Sequence, residues 1–163
     1  MANQLMVKMV LDTWNSKLKE ANDIIDNLTD AQLEKEVAPG RNRGVYLVGH
    51  ITASHDSIFP LFSISERLYP ELERIFIKHA DREVENKFSA GEIRSFWKEV
   101  NSKLNGRFSK ISPEQWFEKH TAVSAEDFVK QPHRNKLNVV LNRANHMAYH
   151  SGQLVFLKNK ISG

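Results

Sequence analysis

The chain contains no cysteine among its 163 residues. That excludes disulfides, thiolate metal ligands and a cysteine nucleophile at once. Long apolar runs are also missing, and none approaches the roughly 18 residues of a membrane-spanning helix. The first residues, MANQLMVKMVLDTWNSKLKE, carry acidic and polar side chains among the apolar ones and show no small-residue cleavage site, so no secretion signal is expected. Charge of one sign is scarce: 23 Lys and Arg stand against 20 Asp and Glu, a formal +3, and the signs interleave. The short basic stretches at Arg41/Arg43 and Lys130 to Lys136 read as solvated loops, not as the basic stripe that grips nucleic acid. These absences lead to the expectation of a soluble, cytoplasmic protein with no nucleic-acid and no membrane partner. The length fits one domain over 1–163.

What the chain does contain is helical periodicity. Apolar residues from Leu5 to Leu28 recur at intervals of three and four, which predicts a long amphipathic first helix. Thr29 with Gln32 forms a capping-box pattern that starts a short helix ending before the turn at Pro39-Gly40. A second helix is expected over Val45 to Phe62, kinked or ended by Pro60, with a short segment beginning near Leu68 to Leu72. Ser89 and Glu92 start the third long helix, which carries Ile93, Phe96, Trp97, Val100, Leu104 and Phe108 and stops before Pro113. Ser112-Pro113-Glu114-Gln115 signals a further short helix, and His120 to Pro132 reads as connection. The fourth long helix runs from about Asn135 to Lys160 and is apolar on two sides, as expected for a helix at the middle of a bundle or at the contact of a homodimer. Few strand signals and no repeat point to an all-α fold, a four-helix bundle of up-and-down type with short extra helices in its connections.

Two histidines four residues apart, His146 and His150, lie one above the other on the last helix and present two imidazoles to one point. Such a pair is either a metal chelate or two ordinary hydrogen-bonded histidines, and the motif alone does not decide. In a helix bundle, metal sites are assembled from inward-facing side chains of neighbouring helices, which makes His50 on the second helix the natural third ligand. His55, five residues further on, points about 140° away from His50. His55, His79, His120 and His133 are expected to be solvated or singly hydrogen-bonded, with His55 and His120 at best at the rim of a site. Asp56 reads as a solvated carboxylate, and Trp14, Trp97 and Trp116 as core or interface aromatics. Gln153 lies one turn beyond the histidine face, where it can orient a ligand or form an interface contact.

The segments GVYLVGHITASHDSIFPLF and LNRANHMAYHSGQLVFL together resemble the DinB/YfiT-like superfamily, in element order over nearly the whole chain. The most specific part is the closing Tyr-His-Ser-Gly-Gln-Leu, where many relatives carry Arg in place of Ser151. The resemblance implies a helical bundle with a divalent metal ion, zinc or nickel first and iron next, held by His50, His146 and His150. It also implies a metal-dependent enzyme of transferase or hydrolase type that activates a thiol or water, with a small-molecule substrate such as a low-molecular-weight thiol. The alternative is a non-catalytic, stress-related protein that binds metal or a small molecule. No catalytic base is singled out by spacing.

Overall fold

In the computed structural model, which describes residues 1–158, the chain is all-helical. Helix α1 covers Ala2–Asp26 and buries Val7, Trp14, Leu18, Ala21 and Ile25, a stripe at helical spacing. The capping box forms as its sequence predicts: Thr29 Oγ1 accepts from the Gln32 N–H, and the Gln32 side chain accepts from the Thr29 N–H at 2.8 Å. It opens the short α2, Asp30–Leu33.

Helix α3 spans Gly44–Asp56, and a separate turn, α4, covers Ile58–Leu61 where one helix to Phe62 is expected. Pro60 accounts for the break. It has no N–H for the Asp56 carbonyl four residues earlier, and its ring crowds that carbonyl. After Pro70 comes α5, Glu71–Phe76. Helix α6, Ala90–Phe108, starts on the Ser89/Glu92 capping box, and a 3-10 turn at Gln115–Phe117 follows Pro113. Helix α7, Ala125–Lys130, stands in a stretch expected to be connection only. It buries none of its residues, so it carries no apolar stripe to read; its one signal is Ser124, whose side chain accepts from the Asp127 N–H. Helix α8, Lys136–Leu154, is capped by Asn135 and closes in a 3-10 turn at Val155–Leu157. The α-helix thus stops at Leu154, short of the expected Lys160; residues 159–160 lie outside the described residues.

Side-chain pairs reveal the direction of each long helix. Trp14 bonds Asn105, Asn22 bonds Trp97, and Ile25 O accepts from Arg94, so α1 and α6 run antiparallel. His50 meets His146, Ser57 meets Arg143, and Gly44 lies under Leu157, so α3 and α8 are antiparallel too. Gln32 beside Leu157 at one end of α1, and Met6 beside Leu141 at the other, make α1 and α8 parallel. It follows that α3 and α6 share a direction, which differs from a simple up-and-down arrangement. The connection from Ser57 to Ser89 returns along the length of the molecule before α6 begins.

The helix at the centre is α3, not α8. Nearly every α3 residue is buried, and the helix packs against α5, α6 and α8. By contrast α8 buries one stripe, Leu137, Val140, Ala144, Met147, Ser151 and Leu154, half-buries Val139, His146 and His150, and leaves Leu141 and Tyr149 exposed. Of the two apolar sides expected, the one with Val139, His146, His150 and Leu154 turns inward, while Leu141 and Val155 on the other are exposed. Trp14, Trp97 and Trp116 are all core residues, and burying a side chain of the Phe or Leu class stabilises by about 1.5–3 kcal/mol. Arg43, expected to be solvated, instead clamps two connections: its guanidinium pairs with Asp81 at 2.7 Å and Glu34 at 3.0 Å. Among the described residues no helix is long and apolar enough to cross a membrane.

Candidate metal centre

His50 from α3 meets His146 and His150 from α8 at a half-buried point between the two helices. The Nε2 atom of His146 lies 3.0 Å from that of His50 and 3.0 Å from that of His150. The ring planes are mutually steep, at 77°, 78° and 82°, so the three imidazoles converge edge-on. Nitrogens bound at about 2.1 Å to one ion stand roughly 3.0–3.4 Å apart, depending on whether the bond angles are near 90° or tetrahedral. The spacing therefore fits a shared divalent ion. Among the described residues no Asp or Glu joins this group.

The far side of the rings argues the same way. His50 Nδ1 stands 2.7 Å from the carbonyl oxygen of Phe76, an acceptor only, so this nitrogen carries the proton and donates it. His150 Nδ1 likewise donates to the Gln153 side-chain oxygen at 2.7 Å. In these tautomers the Nε2 lone pairs of His50 and His150 aim at the common point, and a single N–H on His146 satisfies only one of them. A cation answers all three, and the carbonyl partners are the kind that orient metal-binding imidazoles. The Nδ1 of His146 is buried without a partner.

Burial, with the neighbouring His150 and His50 adding to it, pushes the His146 pKa down to about 4. Burial also lowers that of His150, against a partial rise from the Gln153 hydrogen bond. Both rings are neutral near pH 7, as ligands must be.

Local sequence explains how His50 is held. An added Cβ on Gly49 would meet the Phe76 ring at 2.6 Å, so the glycine lets α5 press its aromatic ring onto α3. This contact brings the Phe76 carbonyl within reach of the next residue, His50. Tyr46, one turn earlier, stacks on the His50 ring at 6.2 Å and 12°, and its hydroxyl donates to the His79 carbonyl at 2.8 Å. Nothing in the sequence announces Phe76 as a partner, because its contribution is a backbone oxygen that any residue supplies.

The other histidines stay apart. His55 is fully buried between Trp14 and Trp97, at 4.7 Å and 5.2 Å between ring centroids, and bonds Asn101 Oδ1 at 2.8 Å. It belongs to the core, not to the rim of the triad. His79 bonds the Arg74 carbonyl, His120 lines a cleft of about 450 Å³ with Leu61, Lys119 and Lys136, and His133 lines an apolar groove with Met6 and Leu137. Both hollows lie at the end of α8 remote from the triad. Asp56, expected in solvent, is buried and accepts from the backbone N–H groups of Leu68 at 2.9 Å and Tyr69 at 3.1 Å. Burial raises its pKa more than those bonds lower it. It anchors the connection after α4 and takes no part in the triad.

Fold and site together define an all-helical protein with a three-histidine group spaced for a divalent ion. No family model and no curated protein matches the chain. Among solved structures it is similar to a conserved protein of a locus from Enterococcus faecalis, with a TM-score of 0.62 over 92% of this chain and 93% of that one. At 14% identity the likeness is one of fold alone.

Proposed function

We propose that this is a DinB/YfiT-like four-helix bundle, built of α1, α3, α6 and α8, in which His50, His146 and His150 hold one divalent ion, zinc or nickel. The observation that carries the proposal is the convergence of three Nε2 atoms, with hydrogen bonds behind two of the rings that keep the proton of the neutral imidazole on Nδ1. Three protein ligands leave coordination space for a small molecule. When bound there, a divalent ion supplies a Lewis acid that lowers the pKa of water towards about 7 or stabilises a thiolate.

In this proposal the imidazoles act only as ligands. Phe76 and Gln153 hold two of them in the right tautomer, and Tyr46 restrains the His50 ring. The activity is metal-assisted transfer or hydrolysis, with a low-molecular-weight thiol or water as nucleophile and a small molecule as substrate.

Metal analysis tests the assignment. Purified protein is expected to carry close to one divalent ion per chain, and His146→Ala to carry almost none while keeping its helical circular-dichroism spectrum. Unchanged metal content in the folded variant rejects the triad.

A further inference from the structure

Arg143 precedes His146 by one turn of α8, on the strip that His146 and His150 share. Its guanidinium is largely buried between α3 and α8. Among the described residues it has one hydrogen-bond partner: Nη2 donates to Ser57 Oγ at 3.3 Å, while Nε is buried with no acceptor. Ser57 gives its own hydroxyl proton to the Ser54 carbonyl at 2.7 Å, which turns an oxygen lone pair towards Arg143. Four other arginines find carboxylates, the partly buried Arg43, Arg67 and Arg94 with Asp81, Glu73 and Asp30, and Arg82 with Glu36. Among the described residues Arg143 has none, and the charge acting on it is a second cation, Arg67.

A cation withdrawn from water without a counter-charge destabilises the fold that holds it. Its retention next to a three-histidine cluster is accounted for if the missing anion arrives with a ligand. We propose that Arg143 is the oxyanion-binding residue of the triad's ligand site, receiving the carboxylate or phosphate of a small substrate whose other end reaches His50, His146 and His150. Ser57, which holds the guanidinium, lies seven residues beyond His50, about 10 Å along the axis of α3, a separation that a short ligand spans with its own length and its bonds at either end. Ser57 is the positioning residue that holds the guanidinium in place. This assignment rests on the metal-site proposal for the substrate's far end, and on Arg143 alone for the anionic end.

Two arms keep those dependences apart. In the metal-free protein, at ionic strength matched with sodium chloride, inorganic phosphate or succinate is expected to raise the melting temperature of the wild type and leave Arg143→Met unmoved; the stronger of the two anions identifies the oxyanion. Without either anion, Arg143→Met is expected to melt above the wild type, because it removes an uncompensated charge. A lower melting temperature in that variant makes the arginine a structural strut and overturns the proposal. In the metal-loaded protein, calorimetry compares 3-mercaptopropionate with 2-mercaptoethanol, which share a thiol and differ in the carboxylate. The wild type is expected to prefer the carboxylated thiol at least tenfold, Arg143→Lys to keep part of that preference, and Arg143→Met to lose it with its metal content intact. Equal affinities in the wild type, or a preference that survives in Arg143→Met, overturn the proposal. A protein that holds no ion fails the metal assignment instead, and the metal-free arm still decides the role of Arg143.

Discussion

His50 and His55 stand five residues apart on α3 and meet opposite surroundings. His50 lies at the seam with α8, half-buried, with one nitrogen tied to a carbonyl and the other free towards two more imidazoles. His55 lies against α1 and α6, enclosed by two tryptophans, with its Nδ1 donating to Asn101. The Asn101 side-chain N–H₂ is itself committed to the Trp97 carbonyl at 2.8 Å, so its oxygen is what faces His55. The same side chain is a candidate ligand in one place and a packing element in the other. What separates them is the neighbouring helix each one faces, since the turn of roughly 140° over five residues sends them to different partners.

Removing each imidazole in turn is expected to have opposite consequences. His55→Ala opens a cavity among Trp14, Trp97 and Asn101 and strands the Asn101 oxygen, and is expected to destabilise by about 3 kcal/mol in urea denaturation. Its metal content should stay at the wild-type level, the reverse of His146→Ala; loss of metal in a folded His55→Ala protein would join His55 to the triad. A smaller effect is expected at Gly49, where Ala forces the Phe76 ring off α3. Overpacking there costs about 1–3 kcal/mol. Retraction of the Phe76 carbonyl from His50 should weaken metal binding by roughly tenfold in a competition titration. Weakened folding with unaltered metal affinity would show that His50 is held by something other than that carbonyl.

The mildest expectation concerns pH in the metal-free protein. Burial holds the His55 pKa near 3 in the fold, against 6.5 for an ordinary histidine. Between those values the unfolded chain binds the proton and the folded chain does not, so stability is fully present above about pH 6.5 and falls as pH drops towards 3. His146, pushed down to about 4, acts in the same sense. Replacing His55 by Leu should flatten the decline in urea midpoint between pH 7 and pH 4; an identical slope would mean that His55 remains neutral in neither state or titrates equally in both.

Local rules carried much of the fold because their signals are local. Thr29 with Gln32, Ser89 with Glu92, and Asn135 each cap a helix by reaching three residues along the chain, and all three contacts form. Pro60 ends α3 through a carbonyl four residues away. The errors lie where distant segments decide. Asp56 looked solvated, yet the connection at Leu68 and Tyr69 folds back over it. Arg43 looked free, but Asp81 lies 38 residues on and reaches it. Leu141 and Val155 looked like part of a buried face of the last helix, yet both are exposed, because apolar spacing shows that a side chain is hydrophobic and not what covers it.

The spacing of His146 and His150 on one helix followed from sequence alone, since a turn of α-helix has a set length. So did the caps, the break near Pro60 and the opposite headings of His50 and His55. Only the tertiary structure decided that α3 crosses α8 at the level where His50 meets the pair, that the Phe76 carbonyl and Gln153 fix two tautomers, and that Arg143 is left without a carboxylate among the described residues. The reason is physical: a helix specifies angles and rises within itself, whereas the meeting of two helices is set by how glycines, aromatic rings and connections pack across the whole core.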